Sequence, residues 1–552
     1  MRIGASKRSE ARGASWEISM QDEIFAFMGD PLAYQAGVDE VTRIDTHGAV
    51  IFLAGDYAYK IKRAVKLSYL DYSTLEKRRE MCEREFQINR VTAPEIYFAV
   101  LPITRTPGRK LMLGGTGRPI EWAVKMKRFR QKDLLSNIVL SNELSNGLTD
   151  ELISRLAEMI AKYHQSSPPV RNGQQLSAVQ KLKQIVGSLE ISFQTPQAKL
   201  GGNFAALYHS KLESVINQHS DLLIARSRSG YVRRCHGDMH LENIVFMDAQ
   251  PTLFDAIEFD DEIAEIDILY DLAFLLMDLW FHGLHNHANR LLNDYLRSYD
   301  DEQNLNGLAL VPLFISLRAA VRAMVGIDLL PHIMGKTKEL KFAEIHDYLQ
   351  LANRALQQHK PSLILIGGLS GTGKSTIGRA ISSIVPPIPG AVHLRSDVER
   401  KAMFGKPPHV HLPEECYTES YSDEVYKILQ RKAAQVLDSG HPVIVDAVFL
   451  SQMHRTMFES LADGRAIDLK TIWLHAPDEE LLTRVDARRN DASDAGSAVV
   501  KSQLNAKSAP QHWIRIDAGS EVSVVTNRVG SALNLPGFPP PGFHPKSNNL
   551  LE

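Results

Sequence analysis

The chain has 552 residues, 44% hydrophobic and 23% charged, so it holds apolar material for about three to four ordinary domains or fewer large ones, and it is neither disordered throughout nor collagen-like. Its 63 lysines and arginines against 65 aspartates and glutamates leave a formal charge of -2, which excludes an overall pull toward nucleic acid or anionic membrane and makes any phosphate binding local. Cys82, Cys235 and Cys416 cannot build a disulfide framework and lack zinc-site spacing, so a reducing, cytoplasmic compartment is expected.

Residues 1–25 read as a disordered arm, basic at Arg2, Lys7, Arg8 and Arg12 but without the apolar run of a secretory signal. The longest apolar stretch, Ile266 to Leu284, is interrupted by Asp267, Asp271 and Asp278, and no segment is expected to span a membrane. Ala49 to Leu53 and Ala58 to Arg63, around a Gly55-Asp56 turn signal, predict a hairpin. Ser73 and Glu76 form a capping-box signature for a helix running to about Asn89. Strands are expected at Ile96 to Leu101, Lys110 to Leu113 and Trp122 to Lys127.

From Asp150 the period changes. Leu152, Ile153, Leu156, Met159, Ile160 and Tyr163 share one helical face, and the chain reads as helical to about residue 358 except for a short hairpin from Asn243 to Phe254. Near residue 360 Leu363 to Ile366 form a buried strand leading into a glycine-rich loop, and strands and helices then alternate to about Arg528. The expected domains are 26–358, with a strand-rich small lobe to about residue 127, and 361–530. A proline-rich tail, 535–552, reads as extended.

Gly368-Leu369-Ser370-Gly371-Thr372-Gly373-Lys374-Ser375 satisfies G-x-x-x-x-G-K-[ST] between a strand and a helix. In that context backbone N–H groups and a helix N-terminus converge on the phosphates of a nucleotide such as ATP, through Gly368, Ser370, Gly371, Thr372, Gly373 and Thr376. Lys374 neutralises the phosphates and Ser375 holds Mg²⁺. Asp397, after the next strand, is placed to meet a substrate hydroxyl, and Arg400, one turn on, a substrate phosphate; a helix cap with a surface arginine is the competing reading. Asp446, ending a third strand, suits the carboxylate that orders Mg²⁺, with a loop or cap aspartate as the alternative. Arg484, Arg488 and Arg489 read either as a lid over the triphosphate or as a solvated basic face.

In His236-Gly237-Asp238-Met239-His240-Leu241-Glu242-Asn243, Asp238 and Asn243 have the spacing of a kinase catalytic loop, and Asp255 follows the hairpin where such folds place a metal-binding aspartate. Phosphoryl transfer asks for a carboxylate to orient the hydroxyl and take its proton, here Asp238, and for oxygen donors to Mg²⁺, here Asn243 and Asp255. Upstream, Lys60 or Lys62 reaches the phosphates; the two share a strand face, Lys60 being mid-strand. Glu85 pairs with the lysine, with Glu83 as competitor.

The glycine-rich loop, Ser396-Asp397 with Arg400, Asp446 and the arginine run before Ser493-Asp494-Ala495 resemble the small P-loop kinases, the group of gluconate kinases and of the phage polynucleotide kinase domain. That resemblance implies that Asp397 acts as base toward the acceptor hydroxyl. Asp45 to His346 resemble the aminoglycoside phosphotransferase and choline kinase group, whose HGDxHxxN loop is matched by His236, Gly237, Asp238, His240 and Asn243, with Asp255 as its metal aspartate and His240 toward the substrate. Asp267 and Asp271 look like that group's structural acids. The whole chain is similar to a tandem family joining these two domains. The resemblances imply an α+β bilobal protein-kinase-like fold followed by an α/β P-loop domain with a parallel sheet.

The reading is a tandem ATP-dependent phosphotransferase with two Mg²⁺ sites, each acting on a small-molecule hydroxyl. Two alternatives stand beside it: one half is a nucleotide sensor, or the P-loop half phosphorylates nucleic-acid 5′-hydroxyls. Near-neutral charge and the lack of a basic stripe with interleaved aromatics argue against the last.

Overall fold

A computed structural model describes residues 21–538 apart from 35–36, 47, 67–69, 141–147, 171–176, 199, 201–203, 248–249, 300, 488–491 and 506–508. These residues group into two compact units, one within Met1–Lys181 and Ile224–Leu275, the other within Leu182–Leu223 and Leu276–Glu552.

The first unit opens with helix α1 (21–28), inside the stretch read as a disordered arm. Ile24, Phe25 and Met28 form an apolar face that the sheet buries, which corrects the arm reading from residue 21 onward. Strands β1 (Val41–Asp45), β2 (Ala49–Ala54), β3 (Tyr57–Lys62), β4 (Tyr97–Arg105), β5 (Leu111–Leu113) and β6 (Arg118–Lys127) make an antiparallel sheet in the order β1-β2-β3-β6-β4-β5. Side chains alternate across β3. Tyr59 and Ile61 enter the core with α1, while Ala58 joins the core on the opposite face with helix α2 (Leu75–Asn89). Lys60 and Lys62 point the same way as Ala58, and both reach Glu85 of α2. The cap of α2 is one residue later than expected: the Thr74 hydroxyl accepts from the Lys77 N–H at 3.3 Å, whereas Ser73 is hydrogen-bonded to Asp71.

Helices α3 (Leu135–Leu140), α4 (Asp150–Ser166), α5 (Ala178–Phe193), α6 (Phe204–Gln218) and α7 (Ser220–Arg228) follow. Strand β7 (Val232–Arg234) then leads into the loop holding Asp238 and Asn243. The expected hairpin is β8 (Ile244–Met247) against β9 (Gln250–Leu253). After the short helix α8 (Asp261–Ala264), β10 (Glu265–Asp267) returns antiparallel to β7. Three-residue strands carry no hydrophobic period, so this ladder had no signal in the sequence. Helix α9 (Ile268–Phe281) is the long apolar stretch, and its residues from Ile268 to Leu279 are buried almost without exception.

The second unit includes most of α5, α6, the start of α7 and the end of α9, then α10 (His285–Tyr299), α11 (Val311–Leu329) and α12 (Gly335–Ala355). Glu302–His332, around α11, is long and apolar enough to cross a membrane, but 67% of its apolar window is buried inside the fold, as in a core helix. β11 (Ser362–Gly367), β12 (Val392–Arg395), β13 (Val443–Asp446), β14 (Asp468–His475) and β15 (Ile514–Asp517) form a parallel sheet in the order β12-β13-β11-β14-β15. Its helices are α13 (Lys374–Ser382), α14 (Ser396–Met403), α15 (Glu419–Asp438), α16 (Gln452–Asp463), α17 (Asp478–Asp486), α18 (Ser497–Asn505) and α19 (Val522–Ala532). The central strand β11 is the fully buried run Leu363 to Ile366. The composition break near residue 360 coincides with the start of β11, yet α10 to α12 group with the sheet.

Candidate active sites

In the first unit the sheet and α2 assemble an ionic network. Lys60 Nζ lies 2.9 Å from Glu85 and 2.6 Å from Asp255, so of the two strand lysines it is the one that reaches the metal aspartate of the sequence reading. Lys62 Nζ lies 2.7 Å from the other Glu85 oxygen and is bonded to Glu258, which also accepts from the Tyr72 hydroxyl at 2.8 Å. Glu85 is fully buried. Burial pushes its carboxyl up, but the two ammonium groups outweigh burial and hold it below the carboxylate range. Burial pulls both lysines down, and Asp255, Glu85 and Glu258 more than reverse that. Glu83 faces solvent and pairs with Arg79, so the network uses Glu85.

The catalytic-type loop is held from behind. Asp271 accepts from the His236 and Gly237 N–H groups at 3.0 and 2.9 Å, and His164 approaches it at 3.2 Å. Asp267 takes both arms of Arg226 at 2.7 and 2.8 Å. These are the two structural acids of the sequence reading. Asn243 Nδ2 donates to the Asp238 carbonyl at 2.9 Å and to its carboxylate at 3.0 Å. His240 Nδ1 accepts from the Glu242 N–H at 3.3 Å, which leaves Nε2 as the donor to Asp238, 3.2 Å away. Expected to face the substrate, His240 is instead buried against Phe274 and supports Asp238. The Asp238 carboxylate itself is 40% exposed and open to an acceptor. The Phe254 N–H donates to the Asn243 carbonyl at 3.1 Å, bringing Asn243 next to Asp255 across one pairing step. Asp255 adopts φ 60°, a left-handed conformation that side chains seldom take outside functional sites. Hard oxygen donors at Asn243 and Asp255 fit a divalent cation such as Mg²⁺.

In the second unit the loop from Gly368 to Gly373 is a cradle closed to side chains. Gly368 and Gly371 have φ of 145° and 92°, and a Cβ on either would sit 2.5 Å from the Leu474 carbonyl or 2.8 Å from that of Leu481. Gly373, at φ 83°, is the N-cap of α13. Ser370 is fixed by Gln503, which accepts its N–H at 2.8 Å and donates to its hydroxyl at 3.1 Å. Thr372 is buried and donates to the Leu369 carbonyl at 2.8 Å; Thr376 is on the exposed side of α13. Lys374 Nζ lies 3.1 Å from the Leu369 carbonyl. The Ser375 hydroxyl donates to Asp446 at 3.3 Å, so the two oxygen groups expected to hold Mg²⁺ do meet. The donor set and the cradle fit a nucleotide with its cation.

Asp397 lies in the first turn of α14. Burial, reinforced by Asp446, raises its carboxyl above the ordinary value against Lys374, Arg395 and a hydrogen bond from Ser493. Arg400 is 8% exposed and donates to the Cys416 carbonyl at 2.8 Å and to Ser422 at 3.1 Å, its guanidinium 4.9 Å from the Tyr417 ring centre. Among the described residues no carboxylate pairs with it. Arg484 is bonded to Glu480 and to the Ala518 carbonyl, turned into its own surroundings, and Arg488 lies outside the described residues.

Four supports escaped sequence reasoning: Glu258 as the partner of Lys62, Gln503, His393 and Asp494. Asp494 accepts from Lys401 at 2.8 Å, from the Leu412 N–H at 3.0 Å and from the Tyr417 hydroxyl. It ties the segment after the arginine run to the one carrying Arg400. Its only signal was the Ser-Asp-Ala triplet, which had no assigned role.

Residues 97–309 match the model of the phosphotransferase enzyme family, and residues 363–510 that of an AAA domain. An uncharacterized protein of Mycobacterium tuberculosis H37Rv is 28% identical over 505 residues, 89% of this chain and 94% of that protein. A choline/ethanolamine kinase family protein of Mesorhizobium loti, 15% identical with a TM-score of 0.35, covers 61% of this chain and 99% of its own. A gluconokinase of Sinorhizobium meliloti, 21% identical with a TM-score of 0.25, covers 32% of this chain and 94% of its own.

Proposed function

We propose that this chain, a phosphotransferase acting on hydroxyl groups that joins a kinase-like domain of the phosphotransferase enzyme family to a P-loop kinase domain, runs two separate Mg·ATP sites on small-molecule acceptors in the cytoplasm. One observation carries the reading: each unit assembles its own base, cation donors and phosphate-facing lysine.

At the first site Asp238, oriented by Asn243 and His240, aligns the acceptor hydroxyl and takes its proton. Lys60 moves between Asp255 and the phosphates while Glu85 keeps hold of it, and Asn243 with Asp255 would hold Mg²⁺. At the second site Asp397 takes the proton, and its raised affinity for one suits a base. Lys374 and the loop N–H groups hold the phosphates, and Ser375 with Asp446 would hold Mg²⁺. The bound cation supplies charge neutralisation at the transferring phosphoryl group in both. Arg400, buried and with no carboxylate partner among the described residues, favours an acceptor carrying an anionic group, phosphate or carboxylate. Arg484 and Arg488 serve as a lid only if Arg484 leaves Glu480.

The test incubates Lys374→Ala protein with Mg·ATP and a cytosolic metabolite extract, with Asp238→Asn protein in parallel, and reads products by mass spectrometry. A phosphorylated metabolite made by Lys374→Ala and missing from Asp238→Asn establishes turnover at the first site. If Lys374→Ala makes nothing while the parent consumes ATP, the first unit is a nucleotide sensor and the two-site reading fails.

A further inference from the structure

Strand β12 is the edge of the parallel sheet, and an edge leaves backbone N–H and C=O groups without a ladder partner. Helix α10 supplies those partners. Asn286, Asn289 and Asn293, three and four residues apart, share one helical face. Asn293 Oδ1 accepts the His393 N–H at 2.7 Å, and Asn289 and Asn293 each donate an amide hydrogen to the Ala391 carbonyl, at 3.0 and 3.2 Å. Asn286 accepts from the Ser383 hydroxyl at 2.5 Å. The amides of Asn289 and Asn293 thus stand in for a missing neighbouring strand, and the residue that Asn293 seats, His393, adjoins the P-loop site.

The His393 ring is nearly buried, and its Nε2 lies 2.6 Å from Asp446 Oδ2. The other Asp446 oxygen, Oδ1, is the one that meets Ser375. A carboxylate oxygen can only accept, so at 2.6 Å the imidazole donates Nε2–H to Asp446. The ring's place is also built from the other side: a Cβ on Gly378 of α13 would lie 2.6 Å from Nε2, so α13 carries a glycine where the imidazole passes.

We propose that His393 is a positioning residue of the P-loop site, seated by Asn293 of α10, and that it aims the Asp446 carboxylate so that Oδ1 faces Ser375. The helical region before residue 360 is then a working part of the P-loop site. A carboxylate free to rotate would present either oxygen, or both, to the cation; one oxygen committed to Nε2–H leaves a single orientation. This inference rests on the reading of Ser375 and Asp446 as the Mg²⁺-holding pair.

The experiment uses the full chain in an Asp255→Asn background, which removes the carboxylate of the two cation donors at the other site. Mn²⁺ binding with a saturating non-hydrolysable ATP analogue is followed by electron paramagnetic resonance of free Mn²⁺, and analogue binding without metal is measured in EDTA. His393→Ala is expected to weaken Mn²⁺ binding about 10- to 100-fold, the usual cost of losing a hydrogen bond behind a ligand. His393→Gln, whose amide can donate to Asp446, recovers most of that loss, and Asn293→Leu shows a smaller weakening of about tenfold or less. Metal-free analogue binding stays at the parent value in all three. If Asp446→Asn binds Mn²⁺ like the parent, the metal reading fails and this inference with it. If Asp446→Asn weakens binding and His393→Ala does not, the inference alone fails. Equal losses with and without metal, or no recovery in His393→Gln, reduce His393 to packing and overturn the proposal. Unchanged Mn²⁺ affinity in Asn293→Leu overturns the part assigned to α10.

Discussion

In the first unit Lys60, proposed to face the phosphates, is 25 residues from Glu85 and 195 from Asp255. In the P-loop unit, the groups that face the phosphates run consecutively from Gly368 to Ser375. The first site is made of charged side chains brought together by the fold: Lys60 and the buried Lys62 share Glu85, with Asp255 and Glu258 completing the network. The second is made largely of backbone dipoles and a helix N-terminus, with few ions. An ionic site tolerates sequence drift in its loops but punishes the loss of any partner, because a buried charge is left alone. A backbone site has no such liability, yet it cannot accept a Cβ where the chain turns closest.

The sharpest way to break this comparison is to silence one site at a time. Asp238→Asn and Lys374→Ala should each lower formation of its own product by about 10³-fold, within the range for removing a general base or a preorganised charge, and leave the other product unchanged. Loss of both products in either variant, read by product-resolved mass spectrometry, would show one linked reaction.

Next in size is the division of labour between the two strand lysines. Lys62→Met leaves Glu258 buried without its ammonium partner and is expected to destabilise the first unit by about 3–5 kcal/mol in urea unfolding. Lys60→Met should cost less stability, because Asp255 is 40% exposed, but about 100-fold in turnover at that site. The reverse ranking would make Lys62 the phosphate-facing residue.

Acidity sharpens the contrast further. Burial raises Asp397, so as a base it is lost to protonation at a higher pH than an ordinary aspartate, whose pKa is about 3.9. The kcat/KM of the P-loop site should therefore fall as pH drops through that raised value. Ser493→Ala removes a hydrogen bond that lowers Asp397, so it should move the falling limb to higher pH. A limb that stays in place assigns proton transfer elsewhere.

The smallest effect concerns the acceptor. Arg400→Lys keeps the charge but loses the planar fork, and should raise KM for an anionic acceptor about tenfold with little change in kcat. An unchanged KM would make Arg400 a support for the segment around Cys416 and Tyr417.

How much of this was legible follows from the same contrast. The P-loop could be read outright, because strand, glycines, lysine and helix are neighbours in the chain and each residue type answers a local steric or electrostatic demand. The loop from His236 to Asn243, the hairpin after it and the alternation of β3 were legible for the same reason. The choice between Lys60 and Lys62, and between Glu83 and Glu85, was not: strand period and helix period each leave two residues eligible, and only the placement of α2 over β3 selects among them. The helix at 21–28 was missed because Ile24 to Met28 is one short apolar run that shows no helical period, and its partner, the sheet, is made by later strands.

The sequence by itself determined the two kinase-type cores, the order in which they occur and the residue types proposed to face phosphate and cation, since those depend on local spacing. Only the tertiary structure decided which charges pair in the buried network, that His240 braces Asp238, and that asparagines of α10 complete the sheet edge beside His393 and Asp446. Those contacts join residues far apart in the chain, and hydrogen bonds between distant segments leave no period for a sequence to display.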